Sequence, residues 1–273
     1  MHNQHIEEPT NEELRVLTRR SALRLLGGAG IALIAGCATD SQGASTTVLA
    51  TPASTAATNS STTIPSSTTI ASATTFGLEG NCVLIPEETA GPYPLDLSGS
   101  EQFFRTDVTE GKEGLPMTLT MAIVDVNSDC APLAGARVDL WHCDALGVYS
   151  GYQQPGVDAS SETFCRGIQL ADANGQVTFQ TIFPGWYPGR ITHVHFQVFL
   201  EGGLEATSQI GFPQEVTDAV YAREPYAIKG PNTSVASIDQ DMVFSDGSQY
   251  QMASITGNDD TTLMASLLVG IAA

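Results

Sequence analysis

The chain has 273 residues, with 30 Asp plus Glu against 11 Lys plus Arg and a formal net charge of −19. That balance excludes a nucleic-acid-binding role, since a phosphate backbone needs a basic surface to meet it. It suits a soluble surface outside the cell and says nothing about fold.

The first elements in chain order are signals rather than core. Thr18-Arg19-Arg20-Ser21-Ala22-Leu23-Arg24 is a twin-arginine pattern, and the apolar run Leu25 to Ala35 follows it. Together they read as an export signal for a folded substrate. The run is short of the roughly 20 residues that a membrane span requires. It closes on Ile34-Ala35-Gly36-Cys37, small residues before a cysteine, as in a lipoprotein processing site. Residues 1–37 are therefore expected to be a twin-arginine signal with a lipid-accepting Cys37; a plain signal with an incidental cysteine is the alternative. Residues 38–79 are mostly Ser, Thr, Ala and Pro, which cannot bury enough apolar surface to offset their ordering entropy. They are expected to be a flexible tether. Residues 80–273 are then one globular domain, exported and held at the membrane by the N-terminal lipid alone. Four cysteines remain in it, Cys82, Cys130, Cys143 and Cys165. In an exported domain an even number favours disulfides, with three pairings open.

Helical periodicity is nearly absent after Gly80. Met117 to Val126, Ala136 to Trp141, Gln176 to Ile182 and His193 to Leu200 are short runs rich in β-branched and aromatic residues. Asn127-Ser128-Asp129, Ala134-Gly135 and Asn174-Gly175 supply turns between them. Glu215 to Tyr226 suits a helical turn or two, and Leu263 to Ala273 reads as a closing strand. The fold class predicted is an all-β antiparallel sandwich with loops carrying the site.

The densest chemistry lies in Pro184-Gly185-Trp186-Tyr187-Pro188-Gly189-Arg190-Ile191-Thr192-His193-Val194-His195. On a strand, His193 and His195 project to one side, at a spacing that allows a shared metal ion. Few other histidines are available, so such a site must complete its ligand set with oxygen or sulfur. Upstream, Trp141-His142-Cys143-Asp144-Ala145-Leu146-Gly147-Val148-Tyr149 ends a strand and presents Tyr149 on a loop. Phe164-Cys165-Arg166-Gly167 and Cys82-Val83-Leu84-Ile85-Pro86-Glu87-Glu88-Thr89-Ala90-Gly91-Pro92-Tyr93 complete four blocks. In this order the four resemble the intradiol ring-cleavage dioxygenases, above all their short exported members. The carrying pattern is W-x-x-D-x-x-G-x-Y followed by P-G-x-Y-x-x-R-x-x-H-x-H.

The resemblance implies a ferric ion held by Tyr149, Tyr187, His193 and His195, and cleavage of catechol-type rings by O₂ to muconate-type diacids. It also implies that Tyr187 is the phenolate that leaves the metal as substrate binds. Arg190 would steady charge developing on the ring, Gln209 would face the oxygen site, and Gly91, Pro92 and Tyr93 would line the mouth. Two phenolates and two imidazoles independently favour a trivalent iron. A shorter Tyr187 to His193 connection than in the intracellular enzymes, and no helical dimer element, imply an open pocket. His142 is expected to be structural, Trp141 core, and Asp144 a loop cap. Two rivals stand beside this reading. One is a tethered β-sandwich binding module without catalysis. The other is a ferrous extradiol-type oxygenase that takes its carboxylate from Asp139 or Asp144.

Overall fold

The structure is a computed structural model that describes residues 82–97, 99–258 and 261–273. The expected export signal, Cys37 and the expected tether lie outside the described residues. The strands are β1 (Pro116–Asp125), β2 (Ala131–Pro132), β3 (Arg137–Trp141), β4 (Gln153–Gln154), β5 (Val157–Asp158), β6 (Arg166–Leu170), β7 (Gln176–Ile182), β8 (His193–Leu200), β9 (Gly203–Gly211), β10 (Ser254–Asn258) and β11 (Thr262–Ile271). One α-helix, α1 (Gln214–Tyr221), is present among the described residues. The chain is the all-β sandwich that its turn spacing predicts.

One sheet runs β10-β11-β1-β2, with β7 also paired to β1; the other runs β6-β3-β8-β9. Pairing is antiparallel throughout except between β1 and β11, which run parallel from Met117↔Leu263 to Asp125↔Ile271. Strand β1 is flanked on both sides and buried along nearly its whole length, which suits its apolar sequence MTLTMAIVD. The core gathers Leu119, Met121 and Ile123 of β1, Val138 and Leu140 of β3, Val177 and Phe179 of β7, and Val194, Phe196 and Val198 of β8. Alternation then decides where chemistry goes. With Val194 and Phe196 inward, His193 and His195 face out of the sandwich.

The predicted turn at Asn174-Gly175 joins the two sheets between β6 and β7. Asp172 Oδ1 accepts from the backbone N–H of Asn174 and Gln176 at 2.8 and 2.9 Å. Gly175 has φ +72°, and a Cβ there would lie 2.4 Å from the Ile123 carbonyl, so only glycine fits the turn.

Cys82 and Cys130 form a disulfide, while Cys143 and Cys165 are free and buried. Burial pushes the Cys143 thiol up to about 12 and holds the Cys165 thiol well above its usual value, which makes both inert. The disulfide staples the start of the described chain to the loop after β1. Mapping without reduction should recover Cys82 linked to Cys130, with Cys143 and Cys165 alkylated only after unfolding. Cys130→Ser should cost about 2–4 kcal/mol in urea unfolding; an unchanged midpoint would show that the bridge carries no stability.

Candidate metal centre

The second sheet lines up one transverse row across all four strands. Arg166 of β6 pairs with Trp141 of β3, Trp141 with His195 of β8, and His195 with Gln209 of β9. Directly paired residues share a face, so this row lies on the outer side of the sheet. The Trp141 indole stacks on the His195 imidazole at 5.0 Å with an interplanar angle of 1°.

The segment before β1 crosses over the same row. Gln209 Nε2 donates to the Thr89 carbonyl at 2.8 Å. Gly91 lies against His195, where a Cβ would fall 2.9 Å from the ring's Cε1. Arg166 Nη2 donates to the Tyr93 carbonyl at 2.8 Å. Thr89, Gly91 and Tyr93 thus meet the row one after another, and they bury a face that would otherwise be open to water.

Four predicted donors converge under this strap. His193 Nε2 lies 3.1 Å from His195 Nε2, 3.2 Å from Tyr187 Oη and 3.4 Å from Tyr149 Oη. His193 Nδ1 contacts the Ile191 carbonyl at 2.6 Å, and a carbonyl can only accept, so Nδ1 carries the proton. The Nε2 lone pair is therefore directed at the cluster. Burial, with the Arg190 charge beside it, drives the His193 pKa down to about 3, and burial drives His195 well below its usual value. Both imidazoles are neutral and available as ligands. Burial pushes Tyr187 up to about 12 and Tyr149 well above the ordinary phenol value, so neither phenol ionises unless a cation is bound beside it. Neutral imidazoles with phenols that ionise only against positive charge fit a hard, highly charged ion.

Among the described residues no set of three His, Cys, Asp or Glu could hold a metal. The carboxylates weighed from sequence are engaged elsewhere. Asp139 takes both bonds from Arg137, at 2.7 and 2.6 Å. Asp144 pairs with Lys112 and caps its loop, accepting from the N–H of Leu146 and Val148 at 3.0 Å. The two-His, one-carboxylate arrangement is not assembled.

The loops that carry the two tyrosines are clasped together. Gly185 N donates to the Asp144 carbonyl at 3.0 Å, and Lys229 Nζ donates to the carbonyls of Leu146 and Trp186 at 2.9 and 2.5 Å. Arg190 is held just as firmly. Its Nε lies 3.0 and 2.9 Å from the two oxygens of Asp241, its Nη2 donates to Gln209 Oε1 at 2.5 Å, and its Nη1 sits 3.5 Å from His193 Nε2. Desolvation works to raise the Asp241 pKa, but donation from the Ile191 N–H, Arg190 and the Val243 N–H outweighs it and holds the carboxyl ionised. Asp241 and Lys229 carry no motif and escape sequence reasoning. Their partners lie on loops far upstream, so only the folded chain brings them in. Pro92 is exposed and Tyr93 half-buried, with the Tyr93 ring stacked on Tyr149 at 4.6 Å. Gln209 is fully buried, behind Arg190. His142 touches Thr181 Oγ1 at 2.7 Å and the Cys143 carbonyl at 2.8 Å, a structural role as expected.

Residues 90–243 match the sequence profile of a family described as dioxygenase, Dioxygenase_C, over more than half of the chain. The chain belongs to the intradiol ring-cleavage dioxygenase family. A solved intradiol ring-cleavage dioxygenase from Tetranychus urticae is 29% identical, with a TM-score of 0.62, covering 70% of this chain and 95% of that one. The catechol 1,2-dioxygenase of Acinetobacter baylyi is 28% identical over 153 residues, 47% of this chain and 48% of that protein. A chlorocatechol 1,2-dioxygenase of Pseudomonas sp. strain P51 is 32% identical over 102 residues, 31% of this chain and 39% of that protein. The chain spans about half the length, or less, of these curated relatives.

Buried neutral histidines make the metal-free protein of this family member acid-sensitive. Burial lowers the folded pKa of His142 to about 4, below the roughly 6.5 of an unfolded chain. The unfolded state therefore takes up its proton first. Stability is full above about pH 6.5 and falls toward pH 4 by about 1.4 kcal/mol per unit for each such histidine. His142→Gln should flatten that slope by one histidine's share in urea titrations between about pH 7 and pH 5. An unaltered slope would place the acid sensitivity elsewhere.

Proposed function

We propose that the protein is an iron(III)-dependent oxidoreductase that cleaves catechol-type aromatic rings between the two hydroxylated carbons, using O₂ and yielding muconate-type diacids. The observation that carries the reading is the convergence of Tyr149 Oη, Tyr187 Oη and His195 Nε2 on His193 Nε2, within 3.1–3.4 Å, in a chain of the intradiol family. Tyr149, Tyr187, His193 and His195 would hold the ion. A ferric ion there would bind the diol and draw electron density from its ring, which readies a ring carbon for O₂.

The chain's own residues divide the remaining work by their burial. Tyr149 is fully buried and locked, whereas Tyr187 is half-buried and borders solvent. Once ionised beside a bound cation, Tyr187 Oη would be the atom placed to take a hydroxyl proton from an incoming diol, becoming the neutral phenol. Arg190 is fixed by Asp241 and Gln209, and its charge stands beside the cluster before any substrate arrives. Such preorganised charge favours the state in which negative charge grows on the ring. The Thr89 to Tyr93 strap keeps bulk water from the inner side, and Gly91, Pro92 and Tyr93 border the entry. The catechol-acting relatives support the substrate class, and the Cys82–Cys130 disulfide supports placing the catalytic unit in an oxidising compartment outside the cytoplasm.

The purified protein loaded with Fe³⁺ should be red to purple from tyrosinate charge transfer, and catechol should shift the band. Oxygen uptake over a catechol panel should give diacids holding both oxygen atoms; a semialdehyde, or a colourless zinc protein, would overturn the assignment. Arg190→Leu should keep its iron and lose about 10²- to 10³-fold in kcat and kcat/KM together. Loss of iron from that variant would make Arg190 structural instead.

A further inference from the structure

Arg166 is among the largest fully buried side chains of the described structure, at 1% exposure. Among the described residues no carboxylate pairs with it. Its guanidinium donates only to uncharged oxygens. Nε reaches Ser150 O at 3.2 Å and Ser150 Oγ at 3.0 Å, and Nη2 reaches Ser150 O and Tyr93 O at 2.8 Å each. Burial lowers its pKa to about 10, which still leaves it charged at neutral pH. A buried charge without a counter-ion is costly to keep. A merely structural link to two carbonyls could be made by a neutral side chain at lower cost.

The two anchored residues show what the charge is for. Ser150 follows Tyr149 in the chain, and its own hydroxyl is tied to the Phe164 carbonyl at 2.6 Å. Tyr93 lays its ring over Tyr149, with centroids 4.6 Å apart and planes 27° apart. One guanidinium thus fixes Tyr149 twice, through the backbone of the next residue and through the ring stacked on its face. Arg166 itself sits in the row Arg166–Trp141–His195–Gln209, so its position is set by the same sheet register that sets His195. It is also a standing positive charge near the fully buried phenol of the cluster.

We propose that Arg166 is a positioning residue for the metal centre, orienting the Tyr149 phenol through Ser150 and Tyr93 without touching metal or substrate. This rests on the ferric reading above. The test uses the full protein, metal-free and then reloaded with Fe³⁺, in wild type, Arg166→Lys, Arg166→Met and Ser150→Ala. Ser150→Ala removes only the hydroxyl's bonds, to Arg166 Nε and to the Phe164 carbonyl, keeps the bonds from Arg166 to the Ser150 and Tyr93 carbonyls, and serves if Arg166→Met does not fold.

Arg166→Met should bind Fe³⁺ about 10- to 100-fold more weakly in equilibrium dialysis, the usual cost of losing a residue that orients a ligand. Its charge-transfer band should move, Arg166→Lys should restore part of both, and Ser150→Ala should shift both in the same direction by less. In the metal-free protein the near-ultraviolet circular dichroism of the Tyr93–Tyr149 stack should weaken in step. A variant that merely unfolds more easily, with wild-type band, affinity and tyrosine dichroism, would overturn the positioning role and leave the ferric reading standing. A wild type that takes up no Fe³⁺ would overturn the ferric reading. The tyrosine dichroism of the metal-free variants would then decide whether Arg166 orients Tyr149.

Discussion

The pairing of Trp141 with His195 in the second sheet is the constraint on which the site depends. Because the pleat repeats every two residues, that register fixes which side chains leave the sandwich and which enter it. A slip by one residue would turn both histidines into the core and put Val194 and Phe196 on the outer face. With the register as found, His195 stands between an indole at 5.0 Å and the bare backbone of Gly91. The ring has no room to turn, and the site needs no flexible hinge to bring its donors together.

Around that fixed imidazole the protein arranges opposite electrostatic demands in a small volume. Two imidazoles must stay neutral, two phenols must be able to lose protons, and two guanidiniums must stay charged. Burial serves the first demand directly, since it disfavours imidazolium. It opposes the second, and the Arg190 charge beside the phenols offsets only part of that opposition. The two arginines are held by different means. Arg190 has a buried carboxylate, so its charge is largely balanced and its direction is fixed by two partners. Arg166 has only uncharged acceptors, the Ser150 and Tyr93 carbonyls and the Ser150 hydroxyl, so no carboxylate balances its charge.

The sequence shows much of this through composition and spacing, and less where neighbours decide. Strands β1, β3, β7 and β8 are rich in β-branched and aromatic residues and are legible within a residue or two. Strands β6 (RGIQL), β9 (GLEATSQIG) and β10 (SITGN) contain Gly, Ser, Gln and Ala, whose strand preference is weak. They are extended because a stronger strand offers them a ladder. The free state of Cys143 and Cys165 is likewise a matter of position, since counting cysteines cannot reveal that two of them point into separate buried sites. At the candidate metal centre, both tyrosines, both histidines, Arg190 and Gln209 stand in a recognisable order. Asp241 and Lys229 do not, because a lone Asp or Lys in a loop carries no local pattern. Arg166 lies inside a recognisable block, yet its role depends on which residue of β3 lies opposite.

The parallel pairing of β1 with β11 bears on how the molecule is made. Strand β1 is the centre of its sheet, and one whole side of it is completed by a strand from the far end of the described chain. Contacts so distant in sequence must wait for slow loop closure. Until β11 docks, an apolar edge of β1 stays open to intermolecular pairing. A nascent chain stalled before Thr262 would lack the partner for its most buried strand. Synthesis must therefore pass β11 before this sheet can close, and slow emergence of that strand would favour aggregation over folding.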